Sequence, residues 1–180
     1  FGFYKTLVTG DFNTDGDVDL AVGAYGYSSS AGRAYIFYND GSIPTTGSTA
    51  DVIITASTAG QFFGDTLTAG DLNADSKTDL VVGSWDSSAL TDNVYIFYND
   101  STYPSLASSA DKIFSGSTTG EDFGLSMMVA DMNIDGNADL VVGAPVYSSS
   151  TGRVYTFITE VAATATSTQI MNIKGGMTIK

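Results

Sequence analysis

The chain has 180 residues, 43% of them apolar, so it can bury a core and does not read as a disordered tail. Its balance is acidic, 20 Asp+Glu against 7 Lys+Arg for a formal charge of −13, which disfavours nucleic acid and anionic membrane faces as partners. Cysteine and histidine are absent, which excludes disulfides, zinc–thiolate sites and the commonest general base, and no apolar run approaches the roughly 20 residues of a membrane helix.

A repeat of 60 residues organises the sequence, without insertion or deletion, into copies at 1–60, 61–120 and 121–180. Each copy opens on a phenylalanine, Phe3, Phe63 or Phe123, and then a short strand: Thr6–Thr9, Thr66–Ala69 and Ser126–Val129. An acidic loop follows, and a second strand begins at once in Asp19-Leu-Ala-Val-Gly, Asp79-Leu-Val-Val-Gly and Asp139-Leu-Val-Val-Gly. These β-branched runs are too short for helices. A Ser-rich loop leads to a third strand at Arg33–Tyr38, Asn93–Tyr98 and Arg153–Ile158. After a polar Asn-Asp turn a fourth strand is expected near Val52–Thr55, Lys112–Ser115 and Asn172–Lys174. Residues 161–180 depart from the pattern, although Ile173 falls in phase with Ile53 and Ile113. The expected fold is all-β: three β-propeller blades of four antiparallel strands each, in a partial or oligomer-completed propeller. The chain starts at Phe1 without a basic leader, so a processed or excised segment is expected.

The acidic residues are unevenly chosen: only Glu121 and Glu160 are glutamates, and the rest are aspartates. The loops hold many of them. They read Asp11-Phe-Asn13-Thr-Asp15-Gly16-Asp17-Val-Asp19, Asp71-Leu-Asn73-Ala-Asp75-Ser76-Lys77-Thr-Asp79 and Asp131-Met-Asn133-Ile-Asp135-Gly136-Asn137-Ala-Asp139. Oxygen side chains occupy positions 1, 3, 5 and 9, and the backbone carbonyl of position 7 (Asp17, Lys77 or Asn137) completes a set that suits Ca2+. Glycine at position 6 allows the sharp turn. An EF-hand would carry Glu at position 12, but Val22, Val82 and Val142 stand there in a strand, so these are hairpin loops. Metal-free Asx turns are the competing reading, and three in-phase carboxylate clusters argue against it. Three calcium sites are expected, the second the weakest because Ser76 replaces glycine and Lys77 adds a positive charge.

Phe63-Gly64 and Phe123-Gly124 before the first strand, Gly143-Ala144-Pro145 after the second, and Gly152-Arg-Val-Tyr155 in the third resemble the FG-GAP repeat of integrin α-subunit propellers. The resemblance covers the whole chain. It departs at Tyr4, where glycine is expected, and at Gly23-Ala24-Tyr25 and Gly83-Ser84-Trp85. It implies extracellular adhesion or recognition, with structural calcium on one face and a protein or glycan ligand on the other. The ligand face would contain Tyr27, Trp85, Asp86 and Tyr147; Tyr25 and Trp85 are better placed as packing between blades, since most large aromatics are core or interface material. Three blades would leave outer faces uncovered, so a homo-oligomer or the remainder of a longer propeller is expected. A structural subunit of an extracellular assembly, a lectin-like module and the non-catalytic propeller of a secreted enzyme are the alternatives. Catalysis by this segment is not expected, and Asn99-Asp100-Ser101 is a potential N-glycosylation sequon.

Overall fold

The computed structural model describes residues 6–44, 46–86, 92–160 and 170–178. It contains three antiparallel four-stranded sheets, each in simple up-and-down order. The first holds β1 (Leu7–Gly10), β2 (Asp19–Gly23), β3 (Arg33–Phe37) and β4 (Val52–Thr55). The second holds β5 (Phe63–Gly70), β6 (Asp79–Ser84), β7 (Asn93–Phe97) and β8 (Lys112–Ser115). The third holds β9 (Ser126–Ala130), β10 (Asp139–Ala144), β11 (Arg153–Glu160) and β12 (Ile170–Thr178). These are propeller blades set side by side in an arc that does not close. Phe1-Gly2, Phe3 and Tyr4 lie outside the described residues.

Strand alternation gives each blade two apolar faces. Ala21, Ala34, Ile36 and Ile54 of the first blade are fully buried against Leu80, Val82, Tyr95 and Phe97 of the second. The other face of the second blade, Val81, Val94 and Ile96, meets Leu140, Val142 and Phe157 of the third in the same way. The Phe of each Phe-Gly pair is an anchor: Phe63 stands edge-on to Tyr95 at 5.2 Å between ring centroids, and Phe123 to Tyr155 at 5.0 Å. The Gly allows contact between blades. Gly64 has φ +89°, and a Cβ added to Gly23 would overlap its carbonyl oxygen, so neither position can carry a side chain.

The first blade repeats the receiving face in Leu20, Val22, Tyr35 and Phe37. Among the described residues no further blade packs there; Val22 and Phe37 are nonetheless buried, and the four residues line an apolar groove of about 350 Å3 with Leu7 and Pro44. At the other end of the arc the fourth strand differs from expectation. It runs over nine residues, and Ile173 pairs with Phe157, whereas Ile53 pairs with Tyr35 and Ile113 with Tyr95. The reason is a longer β11, which runs on to Glu160 and pairs there with Ile170, so the register is already shifted when it reaches Ile173; the bulge between Tyr155 and Phe157 lies beyond it.

Asp65 lies buried beside the junction of the second and third blades. Burial pushes its carboxyl up to about 7, and the negative charge of Asp92 adds to this, against the N–H and hydroxyl of Thr66. The folded chain therefore binds an extra proton between about pH 4 and 7, so this group favours folding most at low pH and the advantage is lost as pH rises through 7. Asp65→Asn should raise the melting temperature at pH 8 and leave it nearly unchanged at pH 4, measured in EDTA; a pH-independent difference would contradict a buried neutral acid. Phe63→Ala should cost about 3–5 kcal/mol in urea unfolding, because it empties a fully buried aromatic site.

Candidate metal centres

The loop between the first two strands of each blade has one hydrogen-bond network, built three times. At position 1, Asp11 accepts the N–H groups of Asp15 (3.2 Å) and Gly16 (3.0 Å); Asp71 accepts those of Asp75 (3.1 Å) and Ser76 (2.8 Å). Asp131 likewise accepts those of Asp135 (3.1 Å) and Gly136 (2.9 Å). At position 3 the amides of Asn13, Asn73 and Asn133 each accept the N–H of position 5 and donate to its carboxylate. At position 5, Asp15, Asp75 and Asp135 accept the N–H of Asp17, Lys77 and Asn137 at 2.8, 2.9 and 2.8 Å. These bonds, from Asn137 first and then the Asn133 amide, hold the Asp135 carboxyl below its ordinary range.

The backbone that permits this is left-handed at two positions. Position 6 has φ +93° at Gly16, +67° at Ser76 and +90° at Gly136. Position 4 was not foreseen: Thr14, Ala74 and Ile134 have φ of +64°, +55° and +60°. A β-branched residue in this conformation is unusual, and the side-chain-to-backbone bonds of the loop are what hold it there.

Position 9 has a further role. Asp19, Asp79 and Asp139 are fully buried. One oxygen accepts the N–H of position 2 (Phe12 2.8 Å, Leu72 2.8 Å, Met132 3.0 Å). The other accepts an N–H just past the core of the third strand (Asn39 2.8 Å, Asn99 2.9 Å, Thr159 2.8 Å). Burial pushes the Asp79 carboxyl up to about 7 against the pull of these two donors, and the charges of Asp75 and Asp71 add to the rise.

The donor set fits a hard cation: every side-chain oxygen at positions 1, 3, 5 and 9 is carboxylate or amide, and each keeps lone pairs beyond those its N–H partners use. Among the described residues no three acidic side chains are already gathered into a cage. Their oxygens rest instead on loop N–H groups.

The opposite end of each blade carries the loops between the second and third strands. There one face of Tyr27 is covered by the Arg33 guanidinium, 3.6 Å from the ring centroid, and one face of Tyr147 by Arg153 at 3.5 Å. Tyr25 and Trp85 flank Phe62, with centroids 6.0 and 4.9 Å away, across the first junction; Trp85 keeps 38% of its surface exposed. The Asp86 N–H donates to Asp92, whose second oxygen accepts the Phe123 N–H of the next blade. Residues 87–91 of the expected ligand loop lie outside the described residues. Phe62, Asp92 and Glu121, a buried carboxylate that accepts the Tyr155 hydroxyl at 3.1 Å, escaped the sequence reading because they lie outside the repeated columns. The sequon is corrected: Asn99 is fully buried, with its N–H donating to Asp79 at the end of the second Asp/Asn loop, so the folded chain does not offer its amide for glycosylation.

Repeated four-stranded blades with an Asp/Asn loop between strands one and two define a propeller-repeat protein. The FG-GAP repeat matches residues 123–157 and the FG-GAP-like repeat matches residues 11–82, and the chain belongs to the FG-GAP repeat family. It is similar to phosphatidylinositol-glycan-specific phospholipase D of Rattus norvegicus, 37% identical over 153 residues, and of Homo sapiens, 32% over 157 residues. Each match takes in 77% of this chain and 18% of the relative, so the chain spans under a fifth of those proteins. It is also similar to integrin alpha-5 of Xenopus laevis, 30% identical over 105 residues, which is 54% of this chain and 9% of the integrin. Among the described residues no helix is long and apolar enough to cross a membrane.

Ser76 is the one non-glycine residue at position 6. Ser76→Gly should stabilise the metal-free chain by about 1 kcal/mol by removing left-handed strain. Urea unfolding in EDTA reads this, and an unchanged midpoint would mean that the loop carries no strain there.

Proposed function

We propose that this chain is a calcium-stabilised, non-catalytic propeller segment of an extracellular recognition or adhesion protein. The observation that carries the reading is the same curled, oxygen-lined loop at the same end of all three blades. Side-chain oxygens of Asp11, Asn13, Asp15 and Asp19, with the Asp17 carbonyl, would hold the first ion; Asp71, Asn73, Asp75, Asp79 and the Lys77 carbonyl the second; Asp131, Asn133, Asp135, Asp139 and the Asn137 carbonyl the third. The ion supplies positive charge that the loops lack. It would relieve repulsion among the carboxylates, and the buried Asp79 would gain most. Sites of this kind fill where calcium is near millimolar, as outside cells.

The absence of His and Cys from the sequence supports a binding role over catalysis. Under this reading the repeats are a small part of a larger protein's length, as the matched regions are of the phospholipase D and integrin relatives. The groove lined by Leu20, Val22, Tyr35 and Phe37, against which no further blade packs among the described residues, favours a second role in assembly, in which another blade of this kind, from a longer chain or a second copy, completes the junction.

Millimolar calcium should raise the melting temperature, with a stabilisation of about 2.7 kcal/mol when calcium stands at 100 times its dissociation constant. Asp15→Ala, Asp75→Ala and Asp135→Ala combined should remove that rise relative to EDTA; a rise of unchanged size would sink the assignment.

A further inference from the structure

We infer that the strip Tyr25–Phe62–Trp85, on the end of the blades opposite the metal loops, binds the apolar face of a neutral sugar ring. This rests on the recognition reading above and names the ligand class of that end. Three aromatic rings from three separate segments meet here: Tyr25 from the loop after β2, Phe62 from the connector between blades, and Trp85 from the residue that follows β6. Trp85 is 38% exposed, and Tyr25 and Phe62 are half-buried, so the strip is open at the surface.

Phe62 is held at φ +47°, where glycine, asparagine or aspartate would be cheaper. The in-phase residues are Gly2 and Asp122, which suit that conformation better. The backbone is locked there by the neighbouring loop. Ser28, Ser29 and Ser30 form a left-handed turn, with φ of +48°, +56° and +61°. The Ser29 carbonyl accepts the Gly60 N–H at 3.1 Å, and the Ser30 carbonyl accepts the Phe62 N–H at 2.8 Å. A bulky ring at a strained, over-determined position is a pattern associated with ligand contact.

The surroundings select the ligand. A shallow cleft of about 370 Å3, lined by Ala24, Tyr25, Gly26 and Tyr27, adjoins the strip, and Ser28 and Ser29 stand exposed beside it. Two of the adjacent charges are engaged: Arg33 lies on Tyr27 and bonds Thr55, and Asp92 spends both oxygens on backbone N–H groups. A net charge of −13 repels anionic glycans and phosphates. An apolar strip of tilted rings (31° between Tyr25 and Phe62, 53° between Phe62 and Trp85) edged by hydroxyls matches a pyranose: its C–H face stacks on an exposed ring and its hydroxyls bond the serines.

Trp85 is the sole tryptophan, so its emission reports the strip directly. The chain should be titrated with cellohexaose, chitohexaose and mannohexaose, in calcium and in EDTA, with a heparin oligosaccharide and a basic peptide as contrasts. At least one neutral hexasaccharide should shift the emission saturably. Phe62→Gly, which keeps the left-handed backbone, should weaken that binding roughly five- to tenfold. No response to any neutral sugar, equal binding by Phe62→Gly, or a response confined to the basic peptide or heparin would overturn the inference. The calcium-dependent rise in melting temperature should persist in Phe62→Gly. Its absence from the unsubstituted chain would strike the calcium reading instead, so the two fail separately.

Discussion

A buried carboxylate needs donors, and the last aspartate of each loop finds two on the backbone. One comes from the start of its own loop and the other from the end of the third strand. Asp19, Asp79 and Asp139 thereby tie three segments of a blade at one point, with near-identical distances. Much else depends on that tie. It closes the loop into a tight curl, so the oxygens of positions 1, 3 and 5 stay on one short arc. It also holds the residues just past β3 and β7, and Thr159 within β11, against the start of the second strand of the same blade.

The two ends of the blades are under different constraints. At the loop end the residues recur in all three copies, with the same bonds and the same left-handed positions. At the other end the in-phase residues vary more: Tyr25, Trp85 and Pro145 differ, as do Phe62 and Asp122, while the Tyr27–Arg33 stack of the first blade returns as Tyr147–Arg153 in the third. The constant end gives rigidity, and the variable end gives each junction its own surface. Loops carried on a rigid frame are where binding residues usually sit, because they can change without disturbing the core.

Much of the fold was legible because its period is long and unbroken. Asp19, Asp79 and Asp139 alone announce the repeat, and the β-branched run after each of them announces the strand. The residue types of the candidate centres were equally plain. What the sequence concealed was of three kinds. Backbone conformation was hidden at Thr14, Ala74 and Ile134, since none is a residue that advertises a left-handed turn. Contacts between distant segments were hidden as well: Arg33 on Tyr27, Phe62 between Tyr25 and Trp85, and the burial of Asn99 all depend on what the neighbouring chain covers. The register of Ile173 was hidden because β11 runs on to Glu160, and the pairing that starts at Ile170 is offset from that of the other two blades.

The blade junctions have a consequence of another kind. Each uses one type of face against another, and the second blade meets a neighbour on both sides while the first and third each meet one. The energetics are those of a one-dimensional chain of units with nearest-neighbour coupling. Damage to a terminal blade would lose one coupling, and damage to the middle blade two. The central blade is then the cooperative keystone: amide exchange should be slowest in β6 and β7 and quicken toward both ends of the arc. Unfolding would spread inward as fraying fronts, with no single global event required to start it.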